Sequence, residues 1–201
     1  MTKRPLYRPW LDGIVEARLT KRDQAFLAFG KAMAAWAGIE AGLYGWFEHL
    51  TGLDLHQAKP IYYSATNFKS RLDLIRAAIA GVQAEKGEID FIEEAMKLAQ
   101  PCNSFRNKLA HGEFTIDGLV IQGKHASRAA AREEAISQVH LRHYALCFEE
   151  FASVLLYARE VAEGFIDEDH EPGLMLGDLT ARVQNLRREM QEGAQQISNN
   201  A

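Results

Sequence analysis

One stretch, AWAGIEAGLYGWFEHLTG at residues 35–52, constrains the fold of this chain more than any other. Around it Phe26, Phe29, Met33, Trp36, Leu43 and Phe47 recur at helical intervals, which predicts a helix from Thr20 to about Leu50. The same segment holds Gly30, Gly38, Gly42 and Gly45. Each glycine costs a helix about 1 kcal/mol relative to alanine, because it loses the most backbone freedom on folding. Crowding at 38, 42 and 45 is therefore best explained by a second helix that comes in close. Gly52 reads as the terminator, and Pro60 in TGLDLHQAKP as a boundary.

Further helical patterns follow. Phe68, Leu72, Ile75 and Ile79 mark a helix over about Ser64–Val82. Ile92, Ala95, Met96 and Ala99 mark another over about Glu88–Ala110, in which Pro101 is expected to kink or restart the chain near Lys97. GEFTIDGLVIQG alternates around Asp117-Gly118, the pattern of a small hairpin or loop. A fourth long helix is read over about Arg132–Gly164. Past DEDHEPG, an a/d stripe of Leu176, Leu179, Val183, Leu186 and Met190 implies a terminal helix, docked on its own domain or paired with a partner. The expected fold is all-α: a four-helix bundle-like domain over 20–165, a small hairpin insertion, an N-terminal arm over 1–19, and a linker and C-terminal helix over 166–201.

Composition narrows the function. Lys plus Arg number 23 against 27 Asp plus Glu, so the formal charge of -4 argues against a broad nucleic-acid-binding coat but permits a local basic cleft. Cys102 and Cys147 form no CxxC or metal spacing and no disulfide framework. No signal peptide or 18-residue apolar run is read, so the expectation is a cytoplasmic protein without membrane contact. The histidines do not assemble a convincing metal set. His140 and His143 share one helical face, where local bonding is the plainer reading. Trp36 and Trp46 are assigned to core or interface.

The densest polar stretch is SFRNKLAHGEF, residues 104–114. Arg106 and His111 lie five positions apart, about 140° around an ideal helix. Asn107 and His111, four apart, share a face. Gly112 is expected as the helix-ending residue that lets the last turn tighten. Arginine's planar fork suits a phosphodiester, histidine transfers protons near neutral pH, and Asn107 can orient the histidine or donate to phosphate. RNA carries its own nucleophile in the 2′-hydroxyl, so no cofactor or metal is implied. A helix C-terminus repels anions, which leaves the phosphate to side chains. In-line cleavage needs an acid and a base, and one histidine supplies one; a two-fold homodimer would supply both. The alternative is an Arg and a His that simply finish a helix.

FRNKLAHG, 105–112, resembles the Arg-polar-x-x-x-His signature of the HEPN superfamily, helical-bundle domains that include many metal-independent endoribonucleases of toxin–antitoxin and anti-phage systems. AWAGIEAGLYGWFEHLTG resembles that family's long first helix, and SATNFKSRLDLIRAAI the helix before the motif; together the likeness spans roughly 20–160. The resemblance implies Arg106 and His111 as the catalytic pair, with Asn107 assisting, in a cleft between two protomers. It also implies an RNA substrate and, for a toxin, an antitoxin or other protein partner. Lys108, Lys124 and Arg128 are the candidate RNA-binding cations, although GKHASRAAAREE also reads as the solvated start of a helix. Glu40 is a candidate partner for Arg106. The competing functions are a noncatalytic HEPN-like module that dimerises and binds a partner or nucleic acid, and a purely structural helical protein.

Overall fold

A computed structural model describes residues 20–82, 84–115, 118–121, 134–136, 138–166 and 175–199. The expected arm at 1–19, the turn residue Asp117, and Lys124 and Arg128 lie outside the described residues. Six helices dominate the described residues. They are α1 (Lys21–Thr51), α2 (Leu55–Ser64), α3 (Phe68–Gly81), α4 (Lys86–Ala110), α5 (Gln138–Ala162) and α6 (Leu176–Asn199). Between α4 and α5 run three short strands, β1 (Gly112–Thr115), β2 (Gly118–Ile121) and β3 (Glu134–Ile136).

The start of α1 is written in its first residues. The Thr20 hydroxyl accepts from the Asp23 backbone N–H at 3.2 Å, while the Asp23 carboxylate accepts from the Thr20 N–H at 3.3 Å, a reciprocal cap. Gly52 ends the helix at φ 62°, a left-handed conformation glycine adopts without strain. Along its length α1 lies against α5, and the glycines make that approach possible. A β-carbon on Gly38 would sit 3.1 Å from the Ala152 Cβ, and one on Gly42 only 2.8 Å from the Leu155 Cβ. Trp46, fully buried, donates its indole N–H to the Leu155 carbonyl at 3.1 Å across the same seam. Trp36 is buried as well, so both tryptophans belong to the core.

Three expectations need correction. Pro60 does not bound a helix but lies inside α2, which Asp54 opens by accepting from the His56 and Gln57 N–H groups. Buried Ala58 and Tyr62 then hold α2 against the core in spite of the missing proline donor. Nor does Pro101 restart the chain: α4 is one element through it, with Leu98, Ala99, Cys102 and Phe105 all buried around the proline. Finally, the fourth long helix begins at Gln138 rather than Arg132, because Glu134–Ile136 pairs as a third antiparallel strand beside the expected hairpin. Buried Ile136 fixes that strand in the core.

The terminal stripe is consumed within the chain. Leu179, Val183, Leu186 and Met190 are buried in the same core as α4 and α5, so the docked reading holds and the apolar seam is not left open for a coiled coil. Around this stripe Arg182 pairs with Glu150 and Glu189, and Arg187 reaches Glu94 at 3.1 Å. Truncating Leu186 to alanine is expected to cost about 3 kcal/mol, read as a shift of the denaturation midpoint. A shift under about 0.5 kcal/mol would mean that α6 is not part of the cooperative core.

Met190 also places its sulfur 3.5 Å from the Cys102 thiol. Both cysteines are free and buried. Burial pushes the Cys102 thiol up, and burial followed by the nearby Glu189 and Glu150 carboxylates pushes Cys147 up to about 12. Since the thiolate is the reactive form, neither cysteine should be alkylated by iodoacetamide at about pH 8 in the folded protein, and both should react once it is denatured. Mass spectrometry counts the adducts. A raised thiol pKa also stabilises the fold fully below the unfolded value, a contribution lost as pH climbs above about 9.

Candidate functional site: a basic cleft at the end of the motif helix

Phe105 sets the rotation of α4. Its ring stacks on Tyr144 of α5 at 3.6 Å between centroids, which turns the next residue, Arg106, away from α5. The Arg106 guanidinium instead lies 5.9 Å from the Trp36 ring of α1. One guanidinium N–H donates to the Asn107 Oδ1 at 3.0 Å. The Arg106 Nε is sealed from solvent and has no hydrogen-bond partner. Asn107 therefore orients the arginine here, not the histidine.

Arg106 and Asn107 line a cleft of about 440 Å³. Asn103, one turn earlier on α4, lines it too, with Glu40 of α1 and Asn67, Lys69 and Arg71 from the start of α3. Asn67 caps α3 by accepting from the Ser70 N–H at 2.8 Å, and the first turn of that helix contains no acidic residue. The expected Glu40–Arg106 pair does not form. Glu40 is bound by Arg71 at 2.7 Å, and Arg71 is further held by the Ala65 carbonyl at 3.2 Å and lies over the Tyr63 ring at 5.1 Å. A carboxylate so engaged leaves Arg106 without an acidic partner among the described residues. Three cations thus face one carboxylate in this cleft, an arrangement suited to an anion.

His111 is placed differently. It follows the last residue of α4 at φ −112° and ψ 3°, and its N–H bonds the Lys108 carbonyl at 3.2 Å, so the final turn tightens. Gly112 is not a left-handed terminator; it is the first residue of β1, and the hairpin takes over where the helix stops. The His111 imidazole is exposed, bonds none of the described side chains, and does not line the cleft that holds Arg106. Within one chain the structure unites Arg106 with Asn107 and leaves His111 one turn away. Lys108 is exposed in that last turn, also outside the cleft lining.

Asn67, Lys69, Arg71 and Asn103 were not singled out from sequence. Asn103 was within reach, since it lies three and four positions before Arg106 and Asn107 and so on their face. The α3 residues were not, because their place depends on how α3 packs on α1. Among the histidines, His143 faces the Glu189 carbonyl at 3.3 Å and the Cys147 sulfur at 3.8 Å, a local contact with α6. Among the described residues no three His, Cys, Asp or Glu side chains cluster as a metal site, and no helix is long and apolar enough to cross a membrane. Comparison with family models, curated proteins and solved structures found no match to this chain.

Proposed function

We propose that the chain is a homodimeric, HEPN-like endoribonuclease that cuts RNA without a metal, in the manner of a toxin or anti-phage effector. The observation that carries this reading is the state of Arg106: a guanidinium that pairs with no carboxylate among the described residues and lines a basic cleft, one turn from the exposed His111. Arg106 tied to an acid and His111 buried against apolar groups would instead have favoured a noncatalytic role.

In this mechanism the His111 imidazole of one protomer removes the 2′-hydroxyl proton. The O2′ attacks phosphorus, the P–O5′ bond breaks, and the departing O5′ takes a proton from His111 of the second protomer. Arg106 compensates the charge that grows on the non-bridging oxygens. The products are a 2′,3′-cyclic phosphate and a 5′-hydroxyl. Purified protein incubated with structured and unstructured RNAs in EDTA tests this, with the end groups identified by phosphatase and kinase sensitivity. No cleavage across such a panel would remove the enzyme reading.

A noncatalytic nucleic-acid-binding module is the second reading, favoured by one observation: Arg106 and His111 do not line the same cleft within a protomer. It expects RNA to be bound and left intact, with His111 dispensable.

A further inference from the structure

We infer that Lys69 and Asn103 form, with Arg106, a phosphate subsite that grips the backbone of single-stranded RNA. This rests on RNA being the ligand of the cleft, but not on the protein cutting it.

Three features meet there. Lys69 is exposed on the first turn of α3, lines the cleft, and makes no hydrogen bond or ion pair with any described residue. Asn103, from α4, is half-buried in the cleft lining, equally without a partner among the described residues. Arg106, on the same helix as Asn103, has an Nε that is shielded from water and unbonded, a donor whose desolvation is uncompensated in the free protein.

Charge supports the same occupant. Arg71 and Glu40 neutralise each other at 2.7 Å, so Lys69 and Arg106 remain as the net positive charge. The positive end of the α3 dipole adds to them, whereas the negative end of α4 near His111 opposes an anion. The cleft thereby provides what the motif helix lacks: a phosphate held away from the α4 terminus, leaving the exposed His111 edge to the sugar. A volume of about 440 Å³ is of the size that accepts a nucleotide unit rather than a duplex. Single-stranded RNA can splay one phosphate and ribose into it; a helical stem cannot.

Fluorescence anisotropy with a labelled single-stranded RNA of about ten nucleotides, 2′-O-methylated throughout so that it cannot be cut, isolates binding from cleavage. Lys69→Glu should weaken binding at least about tenfold, and Lys69→Ala should lower the slope of log affinity against log salt by about one. Asn103→Ala should weaken it about threefold or more, the loss of one phosphate hydrogen bond. Arg76→Glu, the same charge change on an exposed part of α3 outside the cleft, should have less than a twofold effect. Folding is not at stake at Lys69, because an acidic residue in a first helical turn is favourable, and the melting temperature should be held or raised. Equal weakening by Lys69→Glu and Arg76→Glu, or none by either, would overturn the subsite. So would a wild-type protein that does not bind this RNA. If binding behaves as expected while unmodified RNA stays intact, the subsite stands and the nuclease proposal fails.

Discussion

Arg106→Ala and His111→Ala are each expected to slow RNA cleavage in EDTA by at least about 100-fold while leaving the protein folded. The magnitudes follow from the separate roles. Removing a donor that meets charge in the transition state costs about 100- to 1,000-fold, and removing a proton-transfer group about 100- to 10,000-fold. Neither change should threaten the fold. His111 is exposed at the helix end, and Arg106 gives up only its contact with Trp36 and its bond to Asn107, while its unbonded Nε disappears with it. Losses of about 2 kcal/mol are expected for Arg106→Ala, whose contact with buried Trp36 is partly desolvated, and well under about 1 kcal/mol for exposed His111. Cleavage that survives in both folded variants would dismiss the mechanism.

The dimer requirement sharpens that expectation. Mixing wild-type protein with an equal amount of His111→Ala and allowing subunits to exchange leaves about a quarter of the dimers with two histidines. If acid and base come from different protomers, activity per total protein falls to about a quarter; if each protomer is self-sufficient, it falls only to about half. Titrating the ratio separates a square law from a straight line, and the straight line would refute a shared site. The placement of His111 makes this test pointed, because one chain alone does not bring it into the Arg106 cleft.

How much of this was legible beforehand depended on the range of the signal. The periodicity of α1, the Thr20 start and the Gly52 stop are local, and they were readable because caps and stripes act within one or two turns. The four-residue spacing of Asn107 and His111 was readable for the same reason, but the structure turns Asn107 to Arg106 instead. Pro60 and Pro101 misled because a proline's cost is also local, while the burial of Tyr62 on one side and of Cys102 and Phe105 on the other is tertiary and outweighs it. The strand at Glu134–Ile136 carries no alternation long enough to announce itself; it exists because β2 offers an edge. The Arg71–Glu40 pair was hidden for a related reason. Nothing in either helix's sequence says which arginine will face Glu40, and that choice leaves Arg106 without an acidic partner among the described residues.

The second large effect concerns the glycine seam, where Gly42→Val is expected to lower stability by about 3 kcal/mol. The β-carbon alone would fall 2.8 Å from the Leu155 Cβ and 3.2 Å from its Cδ1, and valine adds two more carbons to that space. A β-carbon on a helix cannot swing away, so α1 and α5 must separate. Their separation stretches the 3.1 Å bond from the Trp46 indole to the Leu155 carbonyl, which is buried and has no water to replace it. Valine's better helix propensity returns only a few tenths of a kcal/mol. For a chain of this length the melting temperature should fall by about 10 °C. Position 30 is the matched control: with nothing within 4 Å, Gly30→Ala should gain about 1 kcal/mol from propensity alone. Gly45→Ala should be milder than Gly42→Val, because its obstacle is the end of the flexible Arg159 side chain, which can move aside. Calorimetry on the three variants reads the order directly. A Gly42→Val protein that melts within about a degree of wild type would mean that the helices are not held as closely as this seam requires.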